Sequence, residues 1–305
     1  MASWLQHPKY VPVREWLIEH LRVPRYRFRI LQPVVFLCGG KNSVSRNNVR
    51  DYFRKHRPNL GVFYAERVWE NIILHGPRDA LQMEEELALL ADLILIIVDS
   101  PGAFAELGAF SLSRPLRKKL LPIIDQQFVA EQSFIATGPI RWIDRESDFK
   151  PTIYAPLLRI LEAIDQIEDR LDSIKKSEII KISDLATSPK HLLFFLCDLI
   201  AVIHPASVED IEYYLGRIAP SILSSSINIP TLIGLATAMN LLRKRTIDIA
   251  GHQLEFLSPA SVTAVEHPFH HSRFLDLQRQ RATHMSVLLA IPDAKVVLDA
   301  LKEAS

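Results

Sequence analysis

A chain of 305 residues with a formal net charge of +1 is long enough for two domains and carries no global attraction for nucleic acid or membrane. Hydrophobic residues at 48% and charged residues at 23% describe an ordinary globular composition and argue against a disordered or fibrous chain. The two cysteines, Cys38 and Cys197, each lie in an apolar run and match no zinc or disulfide spacing, so both read as reduced core residues of a cytoplasmic protein.

Residues 1–32 form a basic lead-in, with Lys9, Arg14, Arg22, Arg25, Arg27 and Arg29 facing only Glu15 and Glu19. Trp16, Leu17, Ile18 and Leu21 predict a short amphipathic helix between Pro12 and Pro24. This segment is either a solvated helix packed on the first domain or an arm that touches phosphates or a partner protein. No signal-peptide block is expected at the N-terminus, and the apolar runs at Leu192–Ile203 and Ile227–Leu242 are too short or too interrupted to span a membrane.

Val34–Cys38 reads as a first strand, ending in Gly39-Gly40, where a missing side chain lets backbone approach a ligand. Neither a dinucleotide fingerprint nor a P-loop follows. The next helix, roughly Ser45–Arg57, carries Arg46, Arg50 and Arg54, which form either an exposed face or an anionic-ligand surface. Gly61–Glu66 reads as a second strand delivering Tyr64 and Glu66 to the same edge, and Asp79–Ala91 as an amphipathic helix.

The stretch from Ala91 to Phe110 is the most informative. Leu93–Val98 is a run of six aliphatic residues, as suits a central parallel strand covered on both faces. It stops at Asp99-Ser100-Pro101-Gly102, where Ser100 suits an N-cap and Pro101 the first helical position. The helix then carries Glu106 among small and apolar residues. Asp99 and Glu106 thus fall at the carboxyl end of a strand, where open α/β sheets bind ligands. Leu120–Ile124 is a further strand and Phe134–Ile143 a candidate for one more, after which a helical pattern from Tyr154 to Lys176 reads as a bridge.

From residue 189 the pattern changes to three helices, near Lys190–His204, Val208–Ile218 and Pro230–Arg243, followed by a hairpin about Gly251-His252. That is the order of a winged helix. The segment is not basic, and its third helix is nearly all apolar, so a docking or structured-nucleic-acid role is expected over base reading. The tail after Pro259 reads as helical, with a His-rich surface face and no metal-ligand set.

The fold class expected is therefore α/β, a doubly wound Rossmann-like parallel sheet followed by a mainly α winged-helix domain. The domains are 1–32, 33–150, 151–188, 189–258 and 259–305. A carboxylate placed below a sugar C1′ can attack that carbon or stabilise the oxocarbenium charge formed when an N-glycosidic bond breaks. Glu106 suits that task. Asp99 and Ser100 suit holding sugar hydroxyls, or else are only turn and cap residues, and Gly39, Gly40 and Gly102 suit close backbone approach.

Together the LCGG turn, the VFYAE strand and the ADLILIIVDSPGAFAELGAF segment resemble the nucleoside deoxyribosyltransferase-like family. With the appended winged helix, the chain resembles the toxic effectors of retrons, antiphage operons that also encode a reverse transcriptase and a branched RNA–DNA, msDNA. The resemblance implies that Glu106 is the nucleophile, that Asp99 contacts sugar or base, and that Gly39, Gly40, Tyr64, Glu66, Ser100 and Gly102 line the nucleotide. It implies no metal and no cofactor, with NAD or another nucleotide as substrate. It further implies hydrolysis restrained by the reverse transcriptase and msDNA, within a higher-order assembly away from membranes. Arg22, Arg25, Arg27, Arg46, Arg50 and Arg54 are the candidate nucleic-acid contacts. A nucleotide-sensing or DNA-binding regulator without turnover, a deoxyribosyltransferase, and a protein that coats msDNA are the competing readings.

Overall fold

The computed structural model describes residues 3–22, 32–66, 86–88, 90–175, 180–225, 227–249, 251–261 and 276–303. The chain divides into two compact units: Gln32–Lys176, built on a sheet, and a second comprising Met1–Leu31 together with Ser177–Ser305. Among the described residues, no helix is long and apolar enough to cross a membrane.

The first helix, α1 (Val11–Leu21), belongs to the second unit, whereas the sequence suggested an arm or a helix on the first domain. Its buried face, Leu17, Ile18 and Leu21, needs an apolar partner, and the C-terminal helices supply it. Buried polar contacts fix the register. The Tyr10 hydroxyl lies 3.0 Å from Nδ1 of His284 and 3.4 Å from the Tyr214 hydroxyl. Glu15 pairs with Arg217 at 2.7 Å.

The sheet unit runs β1 (Val34–Cys38), α2 (Val44–His56), β2 (Gly61–Phe63), β3 (Leu93–Ile97), α3 (Pro101–Leu112), α4 (Arg114–Arg117), β4 (Leu120–Asp125), α5 (Arg141–Glu146), β5 (Ile153–Ala155) and α6 (Ile164–Asp172). All five strands are parallel, in the order β2-β1-β3-β4-β5. Every residue of β1 and β3 is buried, as the unbroken aliphatic runs require of central strands covered on both faces. On one face Val35, Leu37, Leu95 and Ile97 pack with Val49 and Phe53 of α2 and with Ile160 and Ile167. On the other, Phe36 stacks on Phe63 at 4.8 Å and meets Phe110 of α3 at 6.1 Å.

Three sequence expectations change here. Phe134–Ile143 is not a strand: Ala136–Ile140 is a π-helical turn leading into α5, which buries Ile140 and Ile143 at helical spacing. The fifth strand is instead Ile153–Ala155, inside the segment read as the start of a long bridging helix. Ile153 and Ala155 are buried and Tyr154 between them is not, a period of two too brief to read reliably. A kinked 3-10 stretch, Leu157–Ala163, follows before α6, and the whole covers the sheet rather than bridging. The second strand also ends earlier than expected, with Ala65-Glu66 already helical. The Asp79–Ala91 helix lies outside the described residues except for 86–88, 90 and 91.

In the second unit α7 (Pro189–Ile203) buries thirteen consecutive residues from His191 onward, the behaviour of a helix apolar on all sides. Around it come α8 (Val208–Ile218), α9 (Ile229–Ala238) and an antiparallel hairpin of β6 (Leu242–Ile249) and β7 (His252–Pro259). The helices α10 (Leu277–Leu289) and α11 (Pro292–Glu303) complete it. The order of three helices and a hairpin is the one the sequence indicated. The tail's histidines at 267, 270 and 271 lie outside the described residues, and His284 is a core group rather than a surface one.

Candidate active site

In a doubly wound sheet of order 2-1-3-4-5, the chain leaves β1 and β3 in opposite directions, and the crevice between their carboxyl ends is where ligands bind. The two loops that meet there are Gly39–Ser43 after β1 and Val98–Ser100 after β3.

Asp99 joins them. Its Oδ1 accepts the Gly40 N–H at 2.9 Å, and its Oδ2 accepts the Ser43 hydroxyl. The Ser43 oxygen in turn accepts the Arg46 N–H at 3.0 Å and so caps α2. Gly40 is required by this closeness: a Cβ there would lie 3.2 Å from the Ser100 Cβ and 3.3 Å from Asp99 Oδ1. Gly39 has φ of +150°, a region that L side chains rarely adopt, and its Cβ would meet Arg46 Cδ at 3.3 Å.

Arg46 takes a different place from the outward-facing surface suggested by its neighbours in sequence. Only 5% of it is exposed. Nη1 donates to the Gly39 carbonyl at 3.0 Å, and Nη2 to the Lys41 carbonyl at 2.9 Å and to Glu66 Oε1 at 2.5 Å. Its guanidinium lies 4.9 Å from the centre of the Tyr64 ring. Tyr64 and Glu66 therefore do arrive beside the glycine loop, but they face Arg46. A buried guanidinium with these partners supports the loop and is not available to a phosphate backbone.

Arg50 pairs with Asp51 at 2.7 Å, which raises the Arg50 pKa and lowers that of Asp51. Arg54 is exposed on α2, Arg22 is exposed at the end of α1 in the second unit, and Arg25 and Arg27 lie outside the described residues.

Ser100 caps α3 by accepting the Ala103 N–H at 3.2 Å, and Gly102 stands exposed in the first turn. Glu106 follows on the same helix. It is half-buried, and its Oε2 is shielded from solvent. The sheet-facing residues of α3 are Ala103, Leu107, Phe110 and Ser111. At 100° per residue Glu106 falls on the flank of Phe110, the residue that touches Phe36 of β1, so its carboxylate is carried on the β1 side. Asp99, Ser100, Gly39 and Gly40 are thus brought together directly, with Glu106 a turn and a half into the helix that starts there. Ser43 was missed by sequence reading, although a serine before Val44 at the start of the α2 pattern was the available signal. Among the described residues, no group of His, Cys, Asp or Glu is arranged to hold a metal ion.

A family model described as STM3845 retron effector protein matches residues 42–244, more than half of the chain. The chain belongs to this retron effector family. The match takes in Asp99, the Glu106 helix and the helices up to the start of the hairpin, and begins just after the Gly39-Gly40 turn. Two Escherichia coli proteins are similar to this effector. One carries the provisional name retron Ec86 ribosyltransferase/DNA-binding protein and is 36% identical over 132 residues, 42% of this chain and 43% of the relative. The other, with the same provisional description for retron Ec73, is 30% identical over 213 residues, 60% of this chain and 66% of the relative. The matched segments thus span less than two thirds of either relative's length.

Proposed function

We propose that this retron effector cleaves the N-glycosidic bond of a nucleotide, with Glu106 as nucleophile and NAD as the favoured substrate. The observation that carries the reading is the placement of Glu106: a carboxylate with one shielded oxygen, on the helix that begins at the β1/β3 switch point. In the reaction, a Glu106 oxygen bonds to the ribose C1′ while the C1′–N bond breaks. The electron pair goes to the leaving ring, which for a cationic nicotinamide becomes neutral. Water then attacks C1′, the bond from C1′ to the Glu106 oxygen breaks with its electron pair returning to the carboxylate, and the proton lost by the water passes to solvent as the sugar is released. Partial burial of the carboxylate keeps it poorly hydrated and so more reactive towards a cationic centre. Asp99 holds the Gly40 loop in place for the sugar and phosphates, and is a positioning residue. The relatives' provisional ribosyltransferase names agree with chemistry at a ribosyl C1′; water as acceptor, in place of a second base, is our reading.

Such an activity would harm its own cell. We therefore assign its restraint to the reverse transcriptase and msDNA of the retron, acting in an assembly with the effector, and its release to antiphage defence. The three helices and hairpin of the second unit are read as a winged helix used for docking. The third helix has nearly every residue buried, and the hairpin cations Lys244 and Arg245 are engaged by Glu255 and the Leu301 carbonyl. Base reading through that helix would leave no side chains for the bases.

The test uses the purified chain incubated with NAD and a panel of nucleotides and nucleosides, with products resolved by chromatography. Nicotinamide release by the wild type, lost in Glu106→Gln at an unchanged melting temperature, is the expected result. Full turnover in the Gln variant would remove Glu106 from the chemistry. Exchange of bases without hydrolysis would favour the transferase.

A further inference from the structure

The second unit carries a groove that the reaction above does not use. Val13 and Trp16 of α1 line one side, and Asp276, Arg279, Gln280 and Thr283 of α10 the other, around about 480 Å³ of space. That volume lies in the range of small-molecule sites. The two helices run antiparallel along it. Lys9, just before α1, reaches the Ala290 carbonyl at 3.3 Å, and the Tyr10 hydroxyl lies 3.0 Å from His284 Nδ1. Advancing about 8 Å along both helices from the second contact brings Trp16 level with Arg279.

Three side chains here have polar or flat surface that the fold leaves open. Gln280 is only 8% exposed, and among the described residues its amide has no hydrogen-bond partner. An unpaired buried amide costs stability, so its position on the wall of a groove suits a group held for a ligand. The exposed Arg279 guanidinium likewise has no acceptor among the described residues, because the Asp276 carboxylate caps the Arg279 N–H at 3.0 Å. Trp16 is 38% exposed, although one face of its indole stacks on His20 at 3.5 Å, so the opposite face stays open.

We propose that this groove is a second, non-catalytic nucleotide site, in which a base stacks on Trp16, its edge pairs with the Gln280 amide and a phosphate sits at Arg279. The three groups match the three parts of such a ligand: an aromatic face, an amide carrying a donor and an acceptor, and a guanidinium. A purely apolar ligand would leave Gln280 and Arg279 unpaired, and an inorganic anion would make no use of Trp16. Asp276 beside Arg279 repels excess negative charge and favours one phosphate over three. Bound there, the nucleotide touches both α1 and α10 and ties the first helix to the last part of the chain. All of these residues belong to the second unit, so the site does not depend on the chemistry assigned to Glu106. A free nucleoside monophosphate and the 5′-phosphorylated end of a single strand offer the same groups.

The experiment titrates the full-length chain calorimetrically with AMP, with adenosine and with a short 5′-phosphorylated oligodeoxyadenylate, following indole emission in parallel. Arg279→Ala is expected to weaken AMP binding about tenfold while adenosine binding holds, and Trp16→Ala to weaken both by about tenfold, the size of one base–aromatic contact. Trp16→Phe keeps a stacking face, so it should retain the affinity and lose the quench of emission. AMP affinity unaltered in Arg279→Ala and Trp16→Ala overturns the site, and so does a quench that persists in Trp16→Phe. Weakening by Trp16→Ala with Arg279→Ala silent overturns the nucleotide and leaves an apolar ring site. Oligonucleotide binding that exceeds AMP binding and falls in the same variants assigns the groove to a strand end, and the reverse order assigns it to a free nucleotide.

Discussion

Asp99 and Arg46 hold the same loop through different groups. The carboxylate takes the Gly40 N–H and the Ser43 hydroxyl, while the guanidinium takes the Gly39 and Lys41 carbonyls. Between them the polar backbone of the loop is largely satisfied by protein, which gives the crevice a fixed floor. Arg46→Met should lower stability by roughly 2–4 kcal/mol in denaturant melts, because Glu66 and two carbonyls lose their partner. It should leave the salt dependence of any nucleic-acid binding unaltered. A salt slope reduced by about one with an unchanged melt would instead make Arg46 a phosphate contact. Asp99→Ala should reduce kcat/KM far more than it reduces the melting temperature, since it frees a loop at the crevice without opening the core. Comparable turnover in the variant would sink the positioning role. Glu106 was legible in the sequence as a lone charge among alanines and glycines. Arg46 was not, because one arginine among several on a helix looks the same whether it turns in or out.

At the scale of elements, the well-capped helices follow their local signals. Ser207 accepts the Asp210 N–H at 3.2 Å and the Asp210 carboxylate accepts the Ser207 N–H at 3.0 Å, a complete capping box at the start of α8. Ser207→Ala should cost about 1 kcal/mol of unfolding free energy, and a loss below the error of a urea titration would show the box to be dispensable. Ser100 and Ser43 start α3 and α2 in the same way, and there the caps also set the site. The elements that departed from expectation are the short ones. β5 has three residues and β2 three, below the length at which alternation can be told from chance.

At the scale of the molecule, the second unit carries a pH dependence of its own. Burial, with help from the Arg281 charge, pushes the His204 and His284 imidazoles down from 6.5 to about 3. Both are therefore neutral in the folded protein and protonated in the unfolded chain at mildly acid pH. Their contribution to stability is intact above pH 6.5 and falls as the pH drops towards 3. The limiting slope is about 1.4 kcal/mol per pH unit for each histidine. Denaturation midpoints between pH 7.5 and 5 should show the loss, and His284→Phe should make the slope shallower; an unaltered slope would take His284 out of the titration. His284 is fully buried against Tyr10, so this acid sensitivity reports on the docking of the N-terminal segment within that unit.

Features that depend on near neighbours were legible along the chain. The buried β3 strand, the cap and proline that open α3, the exceptional Glu106, the capping box of α8 and the order of helices and hairpin all follow from periodicity and end chemistry within a few residues. Which strands are adjacent emerged from the folded structure, and with it the reach of Asp99 to Gly40 and Ser43 across 59 and 56 residues of chain. The fold also sets Glu15 against Arg217 across 202 residues, placing the first helix with the last part of the chain, and lines one groove with both Trp16 and Arg279. Such pairings are set by how crossovers close and which faces can be buried together, and local sequence carries no record of either.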